Sequence, residues 1–461
     1  MKKNVVILLL FFIFILGCSK SKTKKKNNFE VFKSKIYQYE LLDNSDIVPY
    51  FKNCLKLYNK MQQEGVFRRN EVIFLSENFL KIYKNFPGSR YADDSLYFAG
   101  KLYMDLMEYD KSIRYFEKII EEYPDGIFSQ LSNEFHYKFH IAPLAHFLYA
   151  RIYHIHKGSI FKAYWEYRKL IRNYAKYMDE RYILNGEVGH VFAESQFYMA
   201  EIAKNHTYNY RLALKYYRRT VLRYSGLVWQ NHKGETIDFR HLSLNKMYQL
   251  GLDHPGTIRL VISNFEEMTV PNKDTYEDSR MLIGYYLGNL YLKIKNYNKA
   301  INSYQKIFTD NLNVNYEEDV EIILKTIKKL HKLEQSENKY VRNLVNDKIS
   351  TIDICHSLIR GESNKLLLAE LLLYLSRRKF KDNKSEEALT FVRKLFRKYQ
   401  YIVSLDGELI LRNAVKLMKN NLSSNEYHKF LEKNLFFLSR KFDLKEELMK
   451  EMKEYENKRD S

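Results

Sequence analysis

Five histidines, His136, His140, His146, His154 and His156, crowd into one short stretch of the 461-residue chain. The i, i+4 spacing of His136 and His140 would place two imidazoles on one face of a helix, which is how a zinc ion is often held. The supporting chemistry is missing: no Glu completes a His-Glu-x-x-His arrangement, no Cys lies nearby, and Tyr and Phe dominate the same residues. The cluster therefore reads as packing or surface histidines, with no metal. Of the three cysteines, Cys54 and Cys355 are about three hundred residues apart; in a one-dimensional repeat array such a pair reads as two buried thiols rather than a disulfide. No Gly-rich phosphate loop, nucleophile elbow or supported acid pair occurs. The expectation is a chain that is not an enzyme and carries no cofactor.

The third cysteine has a different setting. Lys2 and Lys3 precede an unbroken apolar run from Val5 to Leu16, followed by Gly17 and Cys18. The run is too short to span a bilayer as a helix, so it reads as a cleaved secretory signal. Its ending, Ile15-Leu16-Gly17-Cys18, resembles a bacterial lipobox. That resemblance implies a signal peptide over 1–17, cleavage before Cys18, and a diacylglycerol (palmitate-type) lipid on the Cys18 thiol with a further acyl chain on the new N-terminus. Several acyl chains anchor stably where one does not. Residues 18–28 then form a basic, solvated tether whose five lysines suit anionic headgroups. The net charge of +20 favours acidic partners; the secretory N-terminus argues against nucleic acid.

The elements that follow are helical. Six Pro, sixteen Gly and 45% hydrophobic residues, with 15% aromatic, supply a large core with few breaks. Met281 to Phe308 shows the unit most clearly: two amphipathic helices meet at a turn over Lys295 to Tyr297, with Gly288, Tyr291, Ala300, Tyr304 and Ile307 at helical spacing. Asp93 to Pro124 repeats the order with Gly100, Tyr103, Ser112, Phe116 and Ile119. Ile141 to Tyr174 does so with Ala150, Ala163 and Tyr167, one residue longer in its turn, and Val191 to Tyr224 with Ala200, Ala213 and Tyr217. A weaker copy surrounds Ala388. Ser112, Ala163 and Ala213 are spaced by about fifty residues, so either the helices are long or extra segments lie between hairpins. The organisation expected is 29–224 as N-terminal helical repeats, 225–278 as a Gly- and Pro-interrupted insertion or divergent helices, and 279–457 as C-terminal repeats, with strand content close to none.

The order of small and aromatic positions resembles the tetratricopeptide repeat, and the stretch from Ser89 to Gly126 is similar to repeats of the BamD-like outer-membrane assembly lipoproteins and to the helical arm of soluble lytic transglycosylases. The resemblance implies an all-α helical-hairpin solenoid behind a lipoprotein signal, placed in the cell envelope and in its outer membrane. It implies a scaffold that binds envelope proteins, with outer-membrane protein assembly as the process. By the same resemblance the first helix of each repeat lines a partner-binding groove through Tyr97, Lys101, Met104, Phe147, Arg151, Phe197, Tyr285, Asn289 and Leu292. Glu201, His154 and Lys204 fall at the same register positions. The alternative for the four rings among these is packing between neighbouring helices. The alternative functions are a peptidoglycan hydrolase-related or regulatory protein and a surface-exposed lipoprotein. Glu362-Ser363 is similar to the catalytic Glu-Ser of transglycosylases, but Asn364-Lys365-Leu366-Leu367-Leu368 follows where that family has Gly-Leu-Met-Gln. A Ser capping an apolar helix is the better reading.

Overall fold

The computed structural model describes residues 46–65, 68–128, 140–177, 182–184, 187–189, 191–224, 228–230, 236–269, 277–309, 314, 317–348, 350–361, 364–438 and 443–460. Cys18, the signal and tether over 1–28, His136 and the Glu362-Ser363 pair lie outside them. Two compact units are present, one built from 1–216 and 226–239, the other from 217–225 and 240–461.

Unit 1 is a succession of helices: α1 (Ile47–Glu64), α2 (Arg69–Asn85), α3 (Ala92–Asp105), α4 (Tyr109–Glu122), α5 (Ile141–Arg151), α6 (Ile160–Asn173), α7 (Val191–Asn205) and the first half of α8 (Tyr210–Arg223). Each second helix of a hairpin is amphipathic and buries one stripe. In α4 that stripe is Ser112, Ile113, Phe116 and Ile119, and in α6 it includes Ala163, Tyr167 and Leu170. The first helices are enclosed on more sides, because α3 packs on α2, α4 and α5, and α5 on α4, α6 and α7. Accordingly every residue of α3 from Ala92 to Tyr103 is buried.

Unit 2 holds the second half of α8, then α9 (Phe239–Asp253, its first residue belonging to unit 1), α10 (Ile258–Thr269), α11 (Glu277–Lys293), α12 (Tyr297–Thr309), α13 (Glu317–Glu334), α14 (Lys339–Lys348), α15 (Thr351–Gly361), α16 (Lys365–Lys381), α17 (Ser385–Lys398), α18 (Ile410–Asn421), α19 (Ser424–Asn434) and α20 (Asp443–Asp460). Here α11–α12 and α16–α17 are the tightest hairpins, and α13 bridges α11 to α16. The carboxylate of Glu334, at the end of α13, accepts from the Thr351 amide at 2.6 Å and hydroxyl at 2.8 Å, and from Arg378 Nη1 at 3.0 Å. Burial alone would raise its pKa, but these donors and His331 outweigh it and hold the carboxyl at about 2. The knot ties α13, α15 and α16 together.

Among the described residues five hairpins turn in the same way. The residue two before the second helix adopts the left-handed conformation: Met107 (φ 62°), Gly158 (63°), Tyr208 (50°), Lys295 (59°) and Asn383 (59°). Counting five onward from each gives Ser112, Ala163, Ala213, Ala300 and Ala388; nine onward gives Phe116, Tyr167, Tyr217, Tyr304 and Val392; all ten are buried. The small residues let the helix backbones approach, and the larger ones fill the space behind them. The extra residue at the α5–α6 turn is absorbed by a π-helical turn over Ile152–His156, where the Lys157 amide reaches back to the Ile152 carbonyl at 3.0 Å. The described backbone is therefore a tetratricopeptide-like array of helical hairpins.

Strand content is close to none, as expected: among the described residues it is confined to two short antiparallel pairs, β1 (Tyr182–Leu184) with β2 (Glu187–Gly189), and β3 (Val228–Gln230) with β4 (Thr236–Asp238). They sit after second helices, so the wide repeat spacing comes from segments between hairpins and not from longer helices. The region 225–278 holds the second strand pair followed by α9 and α10. The cap of α16 is Asn364, whose side chain accepts from the Leu367 amide at 3.0 Å, one residue past the Ser expected in that role.

Candidate partner-binding site

Three of the four rings proposed for a groove are buried. Tyr97 in α3 is 5% exposed and packs edge-on to Phe98 and Phe128, both at 5.5 Å. Phe147 in α5 is fully buried and meets Tyr167 of α6 at 6.1 Å. Phe197 in α7 is 6% exposed, against Tyr198 and Phe239. These three take the packing alternative: α3 and α5 are each enclosed by their own partner, the preceding helix and the next hairpin and have little face left, and Phe197 is covered by the neighbouring rings. In unit 2, Tyr285 of α11 is half-buried beside Tyr286 and Tyr304. Asn289 is buried and accepts the Tyr304 hydroxyl at 2.8 Å, while half-buried Leu292 packs against the unit 2 core. Lys101 is buried too, paired with Asp105 at 3.2 Å. Met104 and Arg151 remain half-buried.

What the first helices of unit 1 do offer is a polar strip one register step from the rings. Arg151 ends α5, and Tyr198 of α7 donates its hydroxyl to Glu194 at 3.0 Å. Burial raises the Tyr198 phenol, reinforced by the Glu194 charge and opposed by Arg151. His154 stands edge-on to Tyr198 at 5.1 Å and to Tyr167 at 5.8 Å. Burial lowers its pKa, and the charges of His206 and Arg151 lower it further against the pull of Glu201. Arg151, His154, Tyr198 and Glu201 are each half-buried, so the strip combines preorganised charges with ring edges. Tyr198 was legible only as the neighbour of Phe197: which of two adjacent rings faces inward depends on the enclosing helices.

The other described histidines of the cluster are engaged separately. His140 stacks on Tyr177 at 3.5 Å and His156 on Tyr109 at 4.3 Å. Buried His146 pairs its Nε2 with Glu166 Oε2 at 3.0 Å, across α5 and α6. Burial works to raise the Glu166 pKa, but His146 and Lys169 prevail and lower it. Among the described residues no three His, Cys, Asp or Glu side chains converge on a cation site. Cys54 and Cys355 are free, buried thiols, and burial pushes the Cys355 thiol up to about 12.

No protein-family model matches the chain, and no curated protein matches it. Among solved structures, the chain is similar to the TPR domain of P58(IPK), at 12% identity over 88% of this chain and 98% of that one, with a TM-score of 0.20. At that score the hairpins stand on their own geometry. Among the described residues no helix is long and apolar enough to cross a membrane.

Proposed function

We propose that the chain is a non-enzymatic, lipid-anchored scaffold of the bacterial cell envelope that binds other envelope proteins through the first helices of its repeats, with outer-membrane protein assembly as the process it serves. The observation that carries the reading is the half-buried strip of Arg151, His154, Tyr198 and Glu201 on enclosed helices. Fixed charges beside ring edges recognise a peptide segment with a complementary charge pattern at small entropic cost. Within unit 1 Met104 extends the contact, while Tyr97, Phe147 and Phe197 support it from within; Tyr285 and Leu292 give unit 2 a contact of its own. The lipobox-like Ile15-Leu16-Gly17-Cys18 supports the membrane attachment, and the resemblance of the stretch from Ser89 to Gly126 to BamD-like lipoproteins supports the outer membrane as its location.

Affinity capture from detergent-solubilised envelopes tests the binding. Arg151→Glu should lose the captured partner by on the order of tenfold or more with an unchanged melting temperature; undiminished capture would sink the strip as a binding site. The anchor is tested separately by metabolic labelling with a fatty-acid probe. The wild-type chain should take up label and Cys18→Ala should not.

A further inference from the structure

We infer that the outer face of α6, with the adjoining start of α8, is a docking surface for an anionic lipid bilayer. Phe161 and Trp165 stand one helical turn apart on α6 and are 64% and 51% exposed. Large rings this open to water, paired on one face, are unusual unless something covers them. Arg168 lies over the Trp165 ring at 5.0 Å, and Arg172 follows one turn later on the same face. The hydroxyls of Tyr164 and Tyr216 meet at 2.7 Å, so α8 lies beside α6 and adds exposed Arg211 and Lys215. Over α6 and residues 210–216 the one acid is Glu166, and its carboxylate is buried against His146.

Charge of one sign selects an anionic occupant, and the rings select among anions. A soluble acidic polymer would meet the cations without needing two protruding aromatics. At a bilayer surface phosphates sit at one depth and acyl chains just below it, where Trp and Phe partition while Arg and Lys stay with the headgroups. This surface is independent of acylation at Cys18 and of the polar strip on α5 and α7.

Trp165 reports the contact directly, since Trp229 is the chain's other tryptophan. In the full chain carrying Trp229→Phe, phosphatidylglycerol vesicles should shift Trp165 emission to the blue, and brominated phosphatidylglycerol should quench it. Phosphatidylcholine vesicles and soluble polyglutamate should do neither. Arg168→Glu with Arg172→Glu should weaken the vesicle response by on the order of tenfold. Should Trp229→Phe impair folding, quenching of the Trp165 share of wild-type emission gives the same readout. Vesicles that sediment with the protein while Trp165 stays unshifted would mean that only the N-terminus attaches, and would overturn the proposal. So would a response to polyglutamate without vesicles, which would mark an acidic polypeptide as the occupant.

Discussion

The ring of Tyr304 lies directly against the Cα of Gly288, so a methyl group built on that glycine would overlap the ring carbons Cδ1, Cε1 and Cζ. The first hairpin of this kind in unit 1 has the same pairing, where a methyl on Gly100 would stand 2.8 Å from Phe116 Cε1. Gly288→Ala should therefore destabilise the chain by about 1–3 kcal/mol through overpacking, despite the better helix propensity of Ala. Gly256→Ala, with open space around it, should fall within about 0.5 kcal/mol of wild type. Paired denaturant titrations check both.

Asp93, 4% exposed in the first turn of α3, has its carboxyl pushed up to about 6 by burial, partly offset by backbone hydrogen bonds including that from Asp94. The folded state thus holds this proton more tightly than the unfolded state. The resulting penalty is absent below pH about 4 and complete above pH about 6. Asp93→Asn should raise stability by about 1–3 kcal/mol at pH 7 and leave it unchanged at pH 3.5. Melting temperatures across that range decide it.

Glu334 has the opposite sign. Its folded carboxyl sits at about 2 against an ordinary 4.5, so its stabilisation is full above pH 4.5 and is lost as the pH falls through 2. Glu334→Gln should cost about 2–4 kcal/mol at pH 7, because Arg378 loses its buried partner. The variant should also show a shallower loss of stability between pH 4.5 and 2 than the wild type, measured by urea midpoints.

The turn residues test backbone strain. Met107 holds φ 62° with a side chain 74% exposed, while Gly158 occupies the matching place in the next hairpin. Met107→Gly should stabilise by up to about 1 kcal/mol, since relief of left-handed strain exceeds the entropy that Gly loses. Gly158→Ala should destabilise by about 1 kcal/mol. Opposite shifts in melting temperature are the expected result.

Phe147→Ala separates packing from recognition. A fully buried ring leaves a cavity costing about 3–5 kcal/mol, so melting should fall sharply, and capture measured well below the melting point should persist. A lost partner with unchanged melting would return Phe147 to the groove.

The hairpins were legible because Gly288, Ala300 and Tyr304 repeat as Gly100, Ser112 and Phe116, and close helix packing leaves few residue types for those places. The hairpin at Asn383 gave a fainter signal because Val392 stands where the others have a ring. The ladder of Tyr97, Phe147 and Phe197 could not be placed from sequence, since periodicity marks a helix face without saying which neighbour will cover it. The strand pairs at 182–189 and 228–238 were too short for alternation to register. In the sequence His146 stands among other histidines, whereas its partner Glu166 comes from the next helix.

The shared left-handed turn leaves a chemical signature at constant shape. Met107, Gly158, Tyr208, Lys295 and Asn383 occupy one backbone conformation yet differ in size, charge and polarity. Met107 and Tyr208 are 74% and 71% exposed. A position that demands a fixed φ but buries little is free to vary in what it displays, so within each unit the turn edge can be rewritten residue by residue without disturbing the helices behind it. It is the natural place to attach a reporter, a crosslinker or a new specificity.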